Sequence, residues 1–119
     1  MEVQIFGVKK SADTRKAMRF FSERRVKTHF VDLTERAASI SELRRFAERF
    51  GIEALIDRES RAYLSLGLRH ASFSADRWLD KLAEEPLMLC MPLVRQVGQG
   101  AKGLTVGLAE EEWRQWVVR

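Results

Sequence analysis

The chain has 119 residues, of which 45% are hydrophobic and 32% are charged, and this is typical of one globular domain. It contains no apolar run of the roughly 18–20 residues that a membrane span needs, and its first residues lack the pattern of a secretory signal. Because Cys90 is the one cysteine, an internal disulfide is excluded, and we expect a cytoplasmic protein. The formal net charge is +4. Because the arginines are spread over the whole chain and interleaved with glutamates, direct nucleic-acid binding is not expected.

The first third of the sequence predicts a strand, a helix and a second strand. Residues 2–6 alternate in character, as strand residues do, and Gly7 ends the run. Residues 13–24 place their apolar side chains on one helical face. Residues 27–33 alternate again, so this order predicts a parallel pair of strands with a right-handed crossover.

The middle of the sequence, residues 39–85, predicts a helical insert between the two halves of a sheet. Ser39 and Glu42 have the spacing of a capping box, and Gly51 is a stop signal for the helix that they begin. A second helical stretch is predicted over residues 53–68. In the helix that begins after Ser39, the predicted core-facing apolar residues are Ile40, Leu43, Ala47 and Phe50.

A further helix in this insert is predicted from Ser74 to Pro86. Its inward-facing residues are expected to be Trp78, Leu79 and Leu82.

The last third predicts a buried strand, a hairpin and a terminal helix. The apolar run over residues 87–91 is typical of a buried strand. Residues 93–97 and 104–106 flank a glycine-bearing turn and predict a hairpin. The last helix is predicted to begin within residues 108–110, where glutamates suit the positive end of the helix dipole. Its predicted buried stripe consists of Ala109, Trp113, Trp116 and Val117.

This order of elements and five short motifs resemble the arsenate reductase (ArsC)/Spx group of thioredoxin-fold proteins. The motifs are Phe6–Ser11 with Arg15–Ala17 downstream, Tyr63–Leu68, Glu85–Met88, Met91–Val94 and Gly103–Gly107. The resemblance covers essentially the whole chain. It implies an α/β thioredoxin-like fold with a four-stranded mixed sheet (βαβ followed by ββα). We therefore expect a single domain over residues 1–119, with the helical insert at about 39–85.

The same resemblance locates a degenerate active site. It places Ser11 where the group has its nucleophilic cysteine and Thr14 where the Spx type has a second cysteine. Pro92 matches the group's proline, which is usually cis and lies opposite the active-site loop; the alternative is a trans proline that simply starts the next strand. The arginine common before that proline is Met91 here, and another expected arginine falls near Glu59.

Elementary chemistry argues against catalysis by this site. A serine hydroxyl stays protonated unless a base activates it, whereas it is a good N-cap for the helix that follows. Neither His29 nor His70 is placed by the sequence to reach Ser11. In its apolar surroundings Cys90 is expected to be an inert core thiol.

We therefore expect an ArsC/Spx-like protein that has lost thiol reductase activity and binds a protein partner or a small anion at the former active-site cleft. The candidate ligand-binding residues are Lys9, Lys10, Ser11, Arg15 and Arg58. Two alternatives stay open: a glutathione- or thioredoxin-linked, arsenate-reductase-like oxidoreductase that uses Cys90 or an intermolecular cysteine, and an Spx-like transcription adaptor. We expect no metal and no bound cofactor, although glutathione is left open as a ligand.

Overall fold

The computed structural model describes residues 1–117. Within it the chain forms two compact units, one of Met1–Asp32 with the chain from Met91 onward, and one of Leu33–Cys90. The interpretation as one domain with an insert at about residues 39–85 stays a prediction. No helix of the described residues is long and apolar enough to cross a membrane.

The first unit is built on a four-stranded mixed sheet, as predicted. Its strands are β1 (Glu2–Gly7), β2 (Lys27–Asp32), β3 (Leu93–Val97) and β4 (Leu104–Val106), in the spatial order β2-β1-β3-β4. Strands β1 and β2 are parallel, and the other pairs are antiparallel. Helices α1 (Ala12–Glu23) and α5 (Glu110–Val117) complete the unit.

A core cluster of the first unit lies on one face of this sheet. Because side chains alternate along a strand, Val3 and Ile5 point to the same face and are fully buried there with Val94. Trp113 of α5 is fully buried in the same cluster. Its indole Nε1–H donates a hydrogen bond of 2.8 Å to the Thr105 hydroxyl of β4, so the largest core side chain has no unpaired polar atom.

The second unit is mainly helical. It contains α2 (Ile40–Phe50), α3 (Arg61–Ser65) and α4 (Ala75–Glu84). The predicted capping box is present, since the Ser39 hydroxyl accepts from the Glu42 amide while the Glu42 carboxylate accepts from the Ser39 amide. The predicted inward face of α4 is confirmed: Trp78, Leu79 and Leu82 are buried.

The prediction of a strand over residues 87–91 is wrong. Pro86–Met88 form a 3-10 turn, Leu87 is 51% exposed, and Leu89 makes only an isolated bridge with Ile56. Proline is well suited to the first turn of a helix, and this local preference prevails over the apolar run that follows it. The third and fourth strands of the sheet are the two strands of the predicted hairpin, β3 and β4.

Two details of the insert also differ from the prediction. Residues 53–68 are not one helix, because a turn over residues 57–60 separates a 3-10 turn at Ile52–Leu55 from α3, and the Ser60 hydroxyl caps α3. In α2 the buried residues are Leu43 and Phe46, whereas the predicted Ile40 and Phe50 are 36% and 41% exposed. Only the middle of this short helix is covered, so its two ends remain at the surface.

We expect Thr105→Val to lower the free energy of unfolding by about 1–3 kcal/mol, because it leaves the buried indole N–H of Trp113 without an acceptor. Thr105→Ser is the matched control, since it keeps the hydroxyl and removes one methyl group. Urea denaturation followed by tryptophan fluorescence measures both variants. A valine variant as stable as the serine variant would contradict this account.

Candidate functional site

Ser11 is the N-cap of α1, as predicted. Its hydroxyl accepts a hydrogen bond of 3.2 Å from the amide of Thr14, and its carbonyl accepts one of 3.0 Å from the amide of Arg15. Its own amide donates to the carbonyl of Val8 at 3.1 Å. The Ser11 side chain is thus occupied with stabilising the first turn of the helix.

Three exposed cations surround this helix end: Lys9, Lys10 and Arg15. The Arg15 guanidinium Nη1 donates a hydrogen bond of 2.7 Å to the carbonyl of Lys9, which ties the helix back to the loop before it. Asp13 places a carboxylate in the first turn. The local charge is therefore positive, and Asp13 offsets part of it.

Thr14, which the resemblance places at the second cysteine of the Spx pattern, is fully buried. Its Oγ1 has no hydrogen-bond partner among the described residues. It packs against Gly7, where an added Cβ would lie 2.4 Å from the Thr14 oxygen. From the sequence Gly7 is only the end of a strand; the structure shows that β1 must end in glycine for α1 to approach it.

Pro92 is buried in the same unit, and the Met91–Pro92 bond is cis, as the resemblance implies. The Pro92 carbonyl accepts a hydrogen bond of 2.9 Å from the amide of Gly107. Gly107 has a φ of +77°, a backbone region that glycine adopts without steric cost. This bond fixes the chain between β4 and α5 to the start of β3.

Arg58 belongs to the second unit, and there its guanidinium is already in use. It donates to the Tyr63 hydroxyl at 2.6 Å and forms an ion pair with Glu53. The hydrogen bond to Glu53 is the main reason that the pKa of Arg58 is raised. The Tyr63 hydroxyl in turn donates to the carbonyl of Leu68 at 3.0 Å.

Cys90 also belongs to the second unit, and it is half-buried rather than enclosed in a core. Its amide donates to the carbonyl of Leu55 at 2.8 Å. Burial raises the pKa of its thiol, and the negative charge of Asp57 raises that pKa further. Both effects disfavour the reactive thiolate.

The remaining candidates for catalytic chemistry are the two histidines. His29 lies 2.6 Å from the carboxylate of Glu2, and this hydrogen bond lowers the pKa of Glu2. His70 belongs to the second unit. Within residues 1–117, no three His, Cys, Asp or Glu side chains are grouped so that they could hold a metal ion.

The sequence pattern of the ArsC family matches residues 6–116 of this chain. The chain belongs to the ArsC family. No curated protein matches it in sequence.

Several solved structures share the fold of this ArsC-family protein. A protein named YffB superposes with a TM-score of 0.85 at 18% identity, covering 98% of this chain and 99% of its own. Arsenate reductase from Vibrio cholerae gives a TM-score of 0.72 at 24% identity, covering 87% of this chain and 90% of its own. An arsenate reductase (ArsC) related protein from Brucella melitensis gives 0.67 at 21% identity, with coverages of 98% and 94%. The α/β thioredoxin-like fold predicted from the sequence is thereby confirmed.

We expect Thr14→Val to raise the free energy of unfolding by about 1 kcal/mol, because a buried hydroxyl without a partner costs about 1–3 kcal/mol and valine has nearly the same shape. Thr14→Ser is the control, since it keeps the hydroxyl and removes the methyl group that packs on Gly7. Urea titration of the three proteins gives the order of stability. A valine variant less stable than the unaltered protein would show that the hydroxyl has a partner.

Proposed function

We propose that this ArsC-family protein no longer reduces substrates through a thiol and acts by binding a small anion at the loop of residues 9–15. The observation that carries the proposal is the state of Ser11. The family resemblance places the nucleophilic cysteine at this position, and here the side chain is a hydroxyl that caps α1. A hydroxyl cannot exchange with a disulfide.

No other described group supplies the missing nucleophile in this proposal. A serine needs an adjacent base for activation, and the His29 ring is held by Glu2. The raised pKa of Cys90 keeps its thiol protonated near neutral pH. The loss of reductase chemistry that we propose rests on Ser11, His29 and Cys90 together.

Anion binding is supported by the backbone at the start of α1. Helices leave their first amides without intrahelical acceptors, and an anion at this end also meets the positive end of the helix dipole. Ser11 satisfies the amides of Thr14 and Arg15, which leaves those of Ala12 and Asp13 for a ligand. Lys9 and Lys10 are exposed beside them.

Arg15 and Arg58 have different parts in the proposal. Arg15 keeps donor groups besides the one on the Lys9 carbonyl, so it can also face an anion. The Arg58 guanidinium is held by Glu53 and Tyr63 in the second unit. We therefore assign Lys9, Lys10, Ser11 and Arg15 to the anion site and leave Arg58 out.

We further propose that the protein works in the cytoplasm without a bound cofactor. The family resemblance leaves glutathione open as a ligand, and its carboxylates are anions of the kind that a helix start can accept. A protein partner at the same loop is the alternative to a small anion.

We expect no glutathione- or thioredoxin-dependent arsenate reduction by the purified protein, because no described thiol is activated. NADPH oxidation in the coupled assay measures it, with Cys90→Ala as the matched control. Turnover that this substitution abolishes would overturn the proposal and assign the protein to the reductases.

A separate test of the helix start uses the double variant Ser11→Cys with Cys90→Ala, which has one thiol. We expect the pKa of the introduced thiol to fall below the ordinary value of about 8.5, because it sits at a helix start beside Lys9, Lys10 and Arg15. The pH dependence of alkylation by iodoacetamide measures that pKa. An unshifted pKa would show that this helix end does not stabilise negative charge.

Titration with sulfate, phosphate, arsenate or glutathione should move the amide NMR signals of residues 11–13 before others. Lys10→Ala should weaken this binding several-fold, because it removes one of the cations beside the site. Arg45→Ala, an exposed cation of the second unit, is the control for net charge. Shifts that the control reduces equally, or shifts spread over the surface, would refute a defined site.

A further inference from the structure

The basic excess of the chain is concentrated in one unit. Residues 33–90 carry 9 of the 21 lysines and arginines and 10 of the 17 acidic residues. Their net charge is therefore −1, and the rest of the chain carries +5. The sequence-based expectation that the cations are evenly interleaved with acids holds for the second unit and fails for the first.

Within the first unit, the charge is concentrated in residues 9–25, which we call the basic segment. It consists of the loop before α1, the helix itself and the turn after it, and it has seven cations and two carboxylates. All seven cations are exposed. They are Lys9, Lys10, Arg15, Lys16, Arg19, Arg24 and Arg25.

In the described part of the chain these cations form no ion pairs with neighbouring acids, although the carboxylates of Glu23 and Glu110 line the same surface hollow as Lys16 and Arg19. The ion pairs found among residues 1–117 involve His29, Arg36, Arg44, Arg58 and Arg114, and none of the basic segment. Arg15 and Arg24 donate to backbone carbonyls, which orders their side chains and leaves their charge in place. The segment is therefore an ordered surface with a net positive charge.

The cations of α1 lie on its outward face. With 3.6 residues per turn, Arg15, Lys16 and Arg19 fall on the side opposite the buried Ala17 and Phe21. Glu23 is the one carboxylate that follows them on this side, at the C-terminal end of the helix. These three cations therefore add to the positive potential at the start of the helix.

We infer that the basic segment binds the phosphate backbone of a nucleic acid without reading its sequence. Backbone binding requires only cations and helix ends facing phosphates. A helix of 12 residues spans roughly 18 Å, and a DNA duplex presents about ten phosphate charges over that length. This inference goes beyond the proposed function and does not rest on it.

Single-stranded nucleic acid, a protein partner and a membrane surface fit the basic segment less well, because its exposed side chains include no large apolar residue. Its aromatic residues, Phe20 and Phe21, are buried, so they cannot stack on single-stranded bases. Protein interfaces are centred on buried aromatic or aliphatic anchors, and membrane-surface helices need an exposed apolar face. The outward face of α1 instead carries cations together with Ala12, Ser22 and Glu23.

Fluorescence anisotropy with two labelled DNA duplexes of unrelated sequence, each of about 20 base pairs, tests the inference. We expect equal affinity for both duplexes. The logarithm of the binding constant should fall with the logarithm of salt concentration with a slope of about −3 to −5, as for three to five neutralised phosphates. Unequal affinities or a slope near zero would overturn the inference.

The test variant is Lys16→Glu with Arg19→Glu, which leaves the proposed anion site unaltered. It should bind at least tenfold more weakly and with a salt slope reduced by about 2. The control is Arg45→Glu with Arg69→Glu, the same charge change on exposed residues of the second unit, and it should change affinity less than about threefold. Equal weakening by both variants would reduce the effect to net charge and overturn the inference.

Polyglutamate and phosphatidylserine vesicles serve as competing probes in the same buffer. Binding of either one more tightly than the duplexes would assign the basic segment to an acidic protein or a membrane and reject the nucleic-acid inference. Circular dichroism checks that the variants are folded. Because the arsenate assay depends on Ser11 and Cys90, its outcome is independent of this one.

Discussion

The close approach of α1 to the end of β1 is the constraint on which the site depends. Gly7 has no Cβ, so the buried Thr14 can pack directly on its backbone. This contact brings the start of α1 to the end of the strand and leaves only four residues, 8–11, to connect the two elements. Ser11 then caps the helix within that short loop. The position of every candidate ligand group in the loop follows from a glycine that carries none of the chemistry.

Much of the fold could be predicted from the sequence, because it depends on local patterns. The alternation in β1 and β2, the capping box at Ser39 and the stop at Gly51 are short-range signals, and each appears in the structure. The prediction of a strand over residues 87–91 failed because periodicity does not distinguish a buried strand from other buried apolar segments. The backbone of this run pairs with Leu55 and Asp57, and such partners are distant in sequence.

The candidate site was only partly visible in the sequence. The identity of Ser11 and its role as a cap follow from residue type and position. The role of Gly7, the missing partner of the Thr14 hydroxyl and the pairing of Arg58 with Glu53 depend on three-dimensional packing. Charge was also misjudged, because counting along the chain does not show which cations share one surface. Grouping residues by compact unit separates a basic part from a nearly neutral one.

The cap at Ser11 has an evolutionary consequence. Its structural task is to accept a hydrogen bond from one amide, and an ionised sulfur atom at the same place could accept that bond as well. The helix cap can therefore be made by either an oxygen or a sulfur atom at this position, whereas disulfide exchange requires sulfur. Serine and cysteine codons can differ by a single nucleotide, so this position can exchange a hydroxyl for a sulfur atom without rebuilding any part of the fold.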